Sequence, residues 1–243
     1  MDGNTLETSA SKFDSPPPVV DPPPREADTS ALHDPSFSAI LDALLRSPAR
    51  LLGAVREIDG TTPRLLVIGI VGLAATGLAM ASWSGGMQLA MVPMKLAALA
   101  IVAALVCMPS LHVLSALSGG AQSIKETFGA LSMGVALTAV LGLALAPIAW
   151  VLSAATSSMA LAGALYLVIF LIAAGFGLGL VRRALAASAG THVRGLGAWS
   201  LMFVIVALQL ATTMRPLVGP FDGVWLHERT FFLAHFVDCL GAS

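Results

Sequence analysis

Residues 128–150, FGALSMGVALTAVLGLALAPIAW, form the stretch of sequence that decides the fold. The run contains no acidic residue, lysine or arginine, and as a helix it is long enough to cross hydrocarbon about 30 Å thick. Backbone polar groups in lipid must be satisfied within the protein, and an unbroken apolar run does this as a helix. A membrane barrel would show strands of alternating polarity instead. The run therefore predicts a transmembrane helix.

Four similar runs lie on either side of this one and also lack acidic residues, lysine and arginine. They occupy residues 65–83, 96–117, 159–181 and 198–214, the last being the shortest. Trp83, Trp150 and Trp199 stand at run ends, where indole rings are common at a membrane–water boundary. The predicted fold class is an all-α integral membrane protein with about five transmembrane helices.

The composition of the whole chain supports this assignment. Of its 243 residues, 56% are hydrophobic and only 11% are charged, whereas a soluble domain carries about 25% charged residues. The net charge of −1 does not favour a nucleic acid or an acidic substrate as partner. Two cysteines are too few for a disulfide framework or a thiolate metal cluster.

The segments that flank the apolar runs differ sharply from them. Residues 1–35 are acidic and contain SPPPVVDPPPRE, which predicts a disordered tail, with a docking motif as the alternative. Residues 36–60 predict two short amphipathic helices, which either lie in the lipid headgroup region or pack on the bundle. Residues 61–219 form the transmembrane domain, and residues 220–243 predict an aromatic-rich amphipathic tail.

Basic residues in the connections predict the orientation of the chain. With the amino terminus in the cytoplasm, eight basic residues lie on the inner side and three, Lys95, Arg215 and Arg229, lie on the outer side. Cytoplasmic connections carry the excess of lysine and arginine. We therefore predict a multi-pass protein of the cell inner (plasma) membrane with its carboxyl terminus outside.

Small residues recur at helical spacing and predict how the helices pack, because close packing drives helix association in lipid. The third run carries small residues at every fourth position, among them Gly134, Thr138 and Gly142. The fourth run offers two overlapping pairs, Ala173 with Gly177 and Gly175 with Gly179. These positions predict that the third and fourth helices pack against each other, and that bulky side chains at Gly134 or Gly142 disrupt the packing.

Few polar residues fall where they could carry chemistry. Lys95 precedes the second run, and Gln209, Thr213 and Arg215 lie at the end of the fifth. A snorkelling lysine and a helix-capping arginine explain these positions structurally, and a polar binding site is the alternative. His235 and Cys239 have the spacing of two metal ligands but lack a second pair. The sequence contains no recognised catalytic or nucleotide-binding motif, and we predict no catalytic residue, metal or cofactor.

Four short motifs between about Pro35 and Phe232 carry a resemblance to a protein group. The chain resembles uncharacterised bacterial multi-pass membrane proteins with a lysine before the second helix, Pro-Ser-Leu near its end, Ala-Pro-Ile in the third helix and Arg-Pro-x-x-Gly after the last. These motifs fall on Lys95, Pro109, Ser110, Leu111, Ala146, Pro147, Ile148, Arg215, Pro216 and Gly219. The order of tail, amphipathic segment and five spans is also similar to Yip-type membrane proteins. Neither resemblance implies an activity.

These features together favour a non-enzymatic membrane protein, an accessory or scaffold component of a membrane complex. Its expected partners are the lipid bilayer and another protein. Assembly into a homo-oligomer is an alternative that the sequence leaves undecided. The alternative is a transporter or channel subunit with a polar site around Lys95, Gln209 and Arg215. An intramembrane enzyme would need a nucleophile and a base facing each other, and Ser110 and His112 are two apart on one predicted helix.

Overall fold

Helices account for all regular structure in the described part of the protein. The computed structural model describes residues 36–58, 60–82, 88–117, 122–155, 159–189 and 195–213. The helices are α1 (Phe37–Arg46), α2 (Pro48–Glu57), α3 (Thr61–Ala81), α4 (Gln88–Leu117), α5 (Ile124–Ala154), α6 (Met159–Ala189) and α7 (Leu196–Thr213). The predicted all-α class is confirmed for these residues. The expectations for residues 1–35, Trp83 and residues 220–243 lie outside the described ranges.

Four helices, α3 to α6, are long and apolar enough to cross a membrane. The shortest of them, α3, has 21 residues, which at the α-helical rise is about 32 Å. The fifth predicted run falls on α7, a shorter apolar helix of 18 residues and about 27 Å. The structure thus supports a membrane protein with four candidate spans and one further apolar helix.

The helices extend beyond the apolar runs from which they were predicted. At α4 the helix begins at Gln88, eight residues before the apolar run, and continues through Pro93. Lys95 therefore lies inside α4, which corrects the prediction that it precedes the helix. An apolar run ends at the first charged residue, but a helix need not end there. Lysine is a good helix former, and its stem can lie along apolar surface. Close contact between Pro93 and Gly77 of α3 holds this first part of α4 against the bundle.

The long helices form a bundle in which consecutive helices run in opposite directions, with α5 between α3 and α6, while α4 packs on α3 and α7. Contacts at the helix ends define the direction of each helix. The start of α5 bonds to the end of α6 through Gln122 and Leu185, and the start of α7 bonds to the end of α4 through Trp199 and Ser110. The end of α4 also bonds to the start of α5, and the start of α3 lies beside that of α5. The starts of α3, α5 and α7 and the ends of α4 and α6 therefore share one end of the bundle, which we call the basic end.

The two short helices pack at the basic end. Ser36 caps α1 by accepting a 3.3 Å hydrogen bond from the Ala39 amide, and α2 begins with Pro48, a favoured first residue. Ile40, Leu51 and Val55 are fully buried in the main hydrophobic core. An ion pair of 3.3 Å between Arg56 Nε and Glu126 Oε1 joins α2 to α5.

Candidate functional site

Two long helices approach each other closely where α5 crosses α6. Gly134 and Gly177 face each other there, and a methyl group on Gly134 would stand 3.0 Å from the Gly177 carbonyl oxygen. A methyl group on Gly177 would stand 2.5 Å from the Gly134 carbonyl oxygen and would also collide with the Thr138 hydroxyl. That hydroxyl donates a 2.9 Å hydrogen bond to the Gly134 carbonyl. The crossing therefore leaves no room for a side chain at either glycine.

Of the two overlapping pairs on α6, the structure uses the one that contains Gly177. Gly175 and Gly179 were predicted to be packing residues, yet a methyl group on either would meet no neighbouring atom within 4 Å. Residues two apart on a helix point about 160° apart, so only one of the pairs can face α5. Periodicity alone does not distinguish them, and the assignment of Gly175 and Gly179 to this interface is corrected.

The small-residue stripe on α5 serves two neighbours rather than one. Gly142 packs against Thr76 of α3, where a methyl group would make an ordinary contact of 3.5 Å with the threonine hydroxyl. Each step of four residues turns about 40° around a helix, so Gly142 lies about 80° from Gly134. The stripe therefore begins against α6 and ends against α3, and Gly142 has more room than Gly134.

A second feature is a layer of hydrogen-bonded polar side chains at the basic end. We define this polar layer as Ser110, His112, Ser115, Gln122, Thr127 and Trp199. Its centre is Gln122, which accepts a 2.6 Å hydrogen bond from Ser115 Oγ and donates one of 2.8 Å to the Leu185 carbonyl. Ser115 is fully buried and Gln122 nearly so. One side chain thus links the end of α4, the start of α5 and the end of α6.

The remaining members of the polar layer make two further links between helices. His112 Nδ1 of α4 lies 3.1 Å from Thr127 Oγ1 of α5, and Thr127 in turn donates to the Ser123 carbonyl. Because the threonine proton is used there, the imidazole Nδ1 donates to the threonine oxygen. Trp199 of α7 donates to Ser110 Oγ at 3.1 Å and to the Cys107 carbonyl at 3.3 Å. The polar layer therefore fastens α4 to three other helices.

The predicted polar site lies at the other end of the bundle, and only part of it is described. Leu99 and Ala103 of α4 pack with Ala207 of α7 in one cluster. Because α4 and α7 are antiparallel, this register places Lys95 and Gln209 toward the same end. The Gln209 side-chain oxygen is buried. Arg215 and the Thr213 side chain lie outside the described part, so their place in this site remains a prediction.

All five apolar helices contribute to one cavity of about 40 Å³. Its lining includes Leu99 of α4, Thr138 of α5, Leu178 of α6 and Phe203 of α7. The surface that these side chains present to the cavity is apolar, since the Thr138 hydroxyl is bonded to its own helix. The cavity is thus suited to hydrocarbon rather than to a hydrated solute.

The sequence analysis considered Ser110 and His112 as a possible catalytic pair and did not single out Gln122 or Thr127. The structure gives Ser110 and His112 separate partners on different helices, in keeping with their different directions on α4. A signal was present at Gln122, an amide in the short connection between two apolar runs. The hydroxyl and the carbonyl to which Gln122 bonds are determined by how the ends of α4 and α6 pack at the basic end. The local sequence does not contain that information.

Comparison with known proteins adds no assignment. No protein-family model matches the chain, and neither a curated protein nor a solved structure shows significant similarity to it.

Proposed function

We propose that the chain is a non-enzymatic membrane protein of five spans that acts as an accessory or scaffold component of a membrane complex. The observation that carries the proposal is the way in which the described bundle is filled. Its helices meet through backbone contact at Gly134 and Gly177, and the cavity that they share is apolar. A bundle built in this way suits a rigid platform in the membrane.

A transport route would require a different interior. A hydrated solute that crosses a bilayer needs donors and acceptors that replace its water, and a pore needs a polar or charged lining. The hydroxyl of Thr138 instead donates a hydrogen bond to a carbonyl of its own helix. The side chains of the polar layer form hydrogen bonds between helices. The polar groups in this bundle therefore support cohesion, which favours the scaffold role.

Charge at the two ends of the bundle supports the predicted orientation. Seven of the eight basic residues in the described ranges belong to the basic end: Arg46, Arg50, Arg56, Arg64, Lys125, Arg182 and Arg183. Only Lys95 belongs to the other end. By the positive-inside rule the basic end faces the cytoplasm. In this proposal the protein lies in the inner (plasma) membrane, α7 is the fifth span and the carboxyl terminus is outside.

The orientation predicts how single cysteines react in membranes. With Cys107 and Cys239 replaced by alanine, we expect a cysteine at Ser243 to react with an impermeant maleimide added to the outside of spheroplasts. A cysteine at Ser9 should react only after the membrane is opened, because residues 1–35 would be cytoplasmic. Labelling of both positions from one side would show an even number of spans, and α7 would then not be the fifth.

The accessory role predicts a stoichiometric protein partner. We expect a tag at the amino terminus to recover one major partner from native membranes in mild detergent, identified by mass spectrometry. The same tag on a chain that lacks residues 2–35 separates a partner held by the tail from one held by the bundle. Recovery of this chain alone in both cases would contradict the accessory role.

A transporter or channel subunit is the second candidate, and one observation favours it. Lys95 and Gln209 lie toward the same end of antiparallel helices, and the Gln209 side-chain oxygen is buried there. Arg215 would join them if the chain turns back after α7. A solute flux through liposomes that contain only this chain, abolished in Lys95→Ala or Arg215→Ala without loss of the fold, would favour this candidate over the scaffold.

A further inference from the structure

The first helix, α1, has three distinct faces. Ile40, Ala43 and Leu44 are buried against the bundle. Asp42 and Arg46 form a solvent-exposed ion pair of 2.8 Å on a polar face. A third set consists of Phe37, Leu41 and Leu45, which are apolar and yet 52%, 38% and 54% exposed. We call this third set the α1 stripe.

The α1 stripe has a definite direction relative to the other two faces. Its members are four residues apart, so they follow one side of the helix. At about 100° per residue, the stripe is centred about 110° from the buried face and about 120° from the polar face. A helix at the edge of a membrane bundle needs these three directions, one toward the bundle, one toward hydrocarbon and one toward water.

The position of α1 agrees with such a placement. It contacts α2, α3 and α5, and α2 is joined to the start of α5 by the ion pair between Arg56 and Glu126. Two other large apolar side chains are exposed at this end, Leu117 at 80% and Ile124 at 61%. The long helices therefore also expose apolar side chains at the end of the bundle where α1 lies.

Charge at the same end favours a particular kind of lipid. In the described ranges, the seven basic residues of the basic end stand against three acidic ones, Asp42, Glu57 and Glu126. Two of these carboxylates are paired with Arg46 and Arg56, while Arg182 and Arg183 are exposed on the end of α6. Exposed arginines and an apolar stripe at the same end of the bundle match anionic headgroups above acyl chains.

We propose that the α1 stripe binds the boundary between headgroups and acyl chains at the basic end of the bundle, in contact with anionic phospholipid. The bilayer itself is thus the occupant of this surface, and a protein partner is not. The inference needs only that the bundle is embedded in a membrane, so it can hold whether or not the accessory role is correct.

The test compares two neighbouring positions on α1 in the full-length chain. An environment-sensitive fluorophore is attached to Leu41→Cys or, as the matched control, to Asp42→Cys, each with Cys107 and Cys239 replaced by alanine. The chain is reconstituted in phosphatidylcholine vesicles with or without phosphatidylglycerol. Spin-labelled lipid quenches from the hydrocarbon side, and iodide quenches from the water side.

We expect lipid quenching at Leu41 to exceed that at Asp42 several-fold, iodide quenching to show the opposite order, and phosphatidylglycerol to strengthen the difference. Iodide quenching at Leu41 as strong as at Asp42 would show that the stripe faces water and would overturn the proposal. Protection of Leu41 from both quenchers would show that protein covers it, which would also overturn the proposal. Leu45→Cys repeats the measurement if Leu41→Cys does not fold.

Discussion

Replacing Gly177 by alanine is expected to lower the stability of the bundle more than the same replacement at any other glycine of α6. The new methyl group would stand 2.5 Å from the Gly134 carbonyl oxygen and would collide with the Thr138 hydroxyl. Backbone atoms cannot move aside as a flexible side chain can, so α5 and α6 must separate. Overpacking of this kind costs about 1–3 kcal/mol, which should appear as a lower thermal midpoint in mild detergent.

Gly175→Ala and Gly179→Ala are the matched controls for this experiment. They make the same chemical change on the same helix, but at positions where a methyl group meets nothing within 4 Å. Replacement of glycine by alanine within a helix is otherwise favourable by about 1 kcal/mol, so the controls should retain or slightly raise the midpoint. Equal midpoints for all three variants would contradict the Gly134–Gly177 crossing.

Replacing Gln122 by methionine is expected to loosen the basic end of the bundle. Methionine has nearly the shape of glutamine but makes neither the bond from Ser115 nor the bond to the Leu185 carbonyl. Both partners are buried, and a buried polar group that loses its partner costs about 1–3 kcal/mol. The measurement is the thermal midpoint, together with amide hydrogen exchange at the ends of α4 and α6.

A double-mutant cycle isolates the link itself. Ser115→Ala and Gln122→Met remove the same hydrogen bond, so the double variant should lose less than the sum of the two, by about 1 kcal/mol. Ser132→Ala is the control for loss of a buried hydroxyl, because Ser132 donates at 2.8 Å to the Phe128 carbonyl of its own helix. Additive losses for Ser115 and Gln122 would show that the link contributes nothing to stability.

Much of the candidate site was within reach of sequence reasoning, but its partners were not. Gly134 and Thr138 were identified because their spacing marks a helix face that other helices can approach. The same reasoning gave equal weight to Gly177 and Gly175, since both pairs on α6 have the same spacing. It also did not distinguish Gly142, which meets α3, from Gly134, which meets α6, because a four-residue stripe turns slowly around the helix axis.

The contrast between α1 and α5 shows the same limit. In α1 the sequence predicts one apolar face from Phe37 to Leu45, and the structure divides it into a buried side and an exposed stripe. Both sides are apolar, so hydrophobicity cannot distinguish packing against protein from exposure to lipid. The division follows only from how α1 packs against α2, α3 and α5.

The amino-acid sequence alone determined the helical class of the described residues and predicted helices apolar enough to cross a membrane, because an uncharged apolar run has to satisfy its backbone within itself when it lies in lipid. It also predicted which end of the bundle is basic, because the charged residues lie outside the apolar runs and most of the basic ones fall on one side. Only the folded bundle decided which glycines touch, where Lys95 lies in α4 and which groups Gln122 joins. These features depend on contacts between segments far apart in the chain, such as Gln122 and Leu185. Periodicity describes one helix at a time and carries no information about the neighbour that a face will meet.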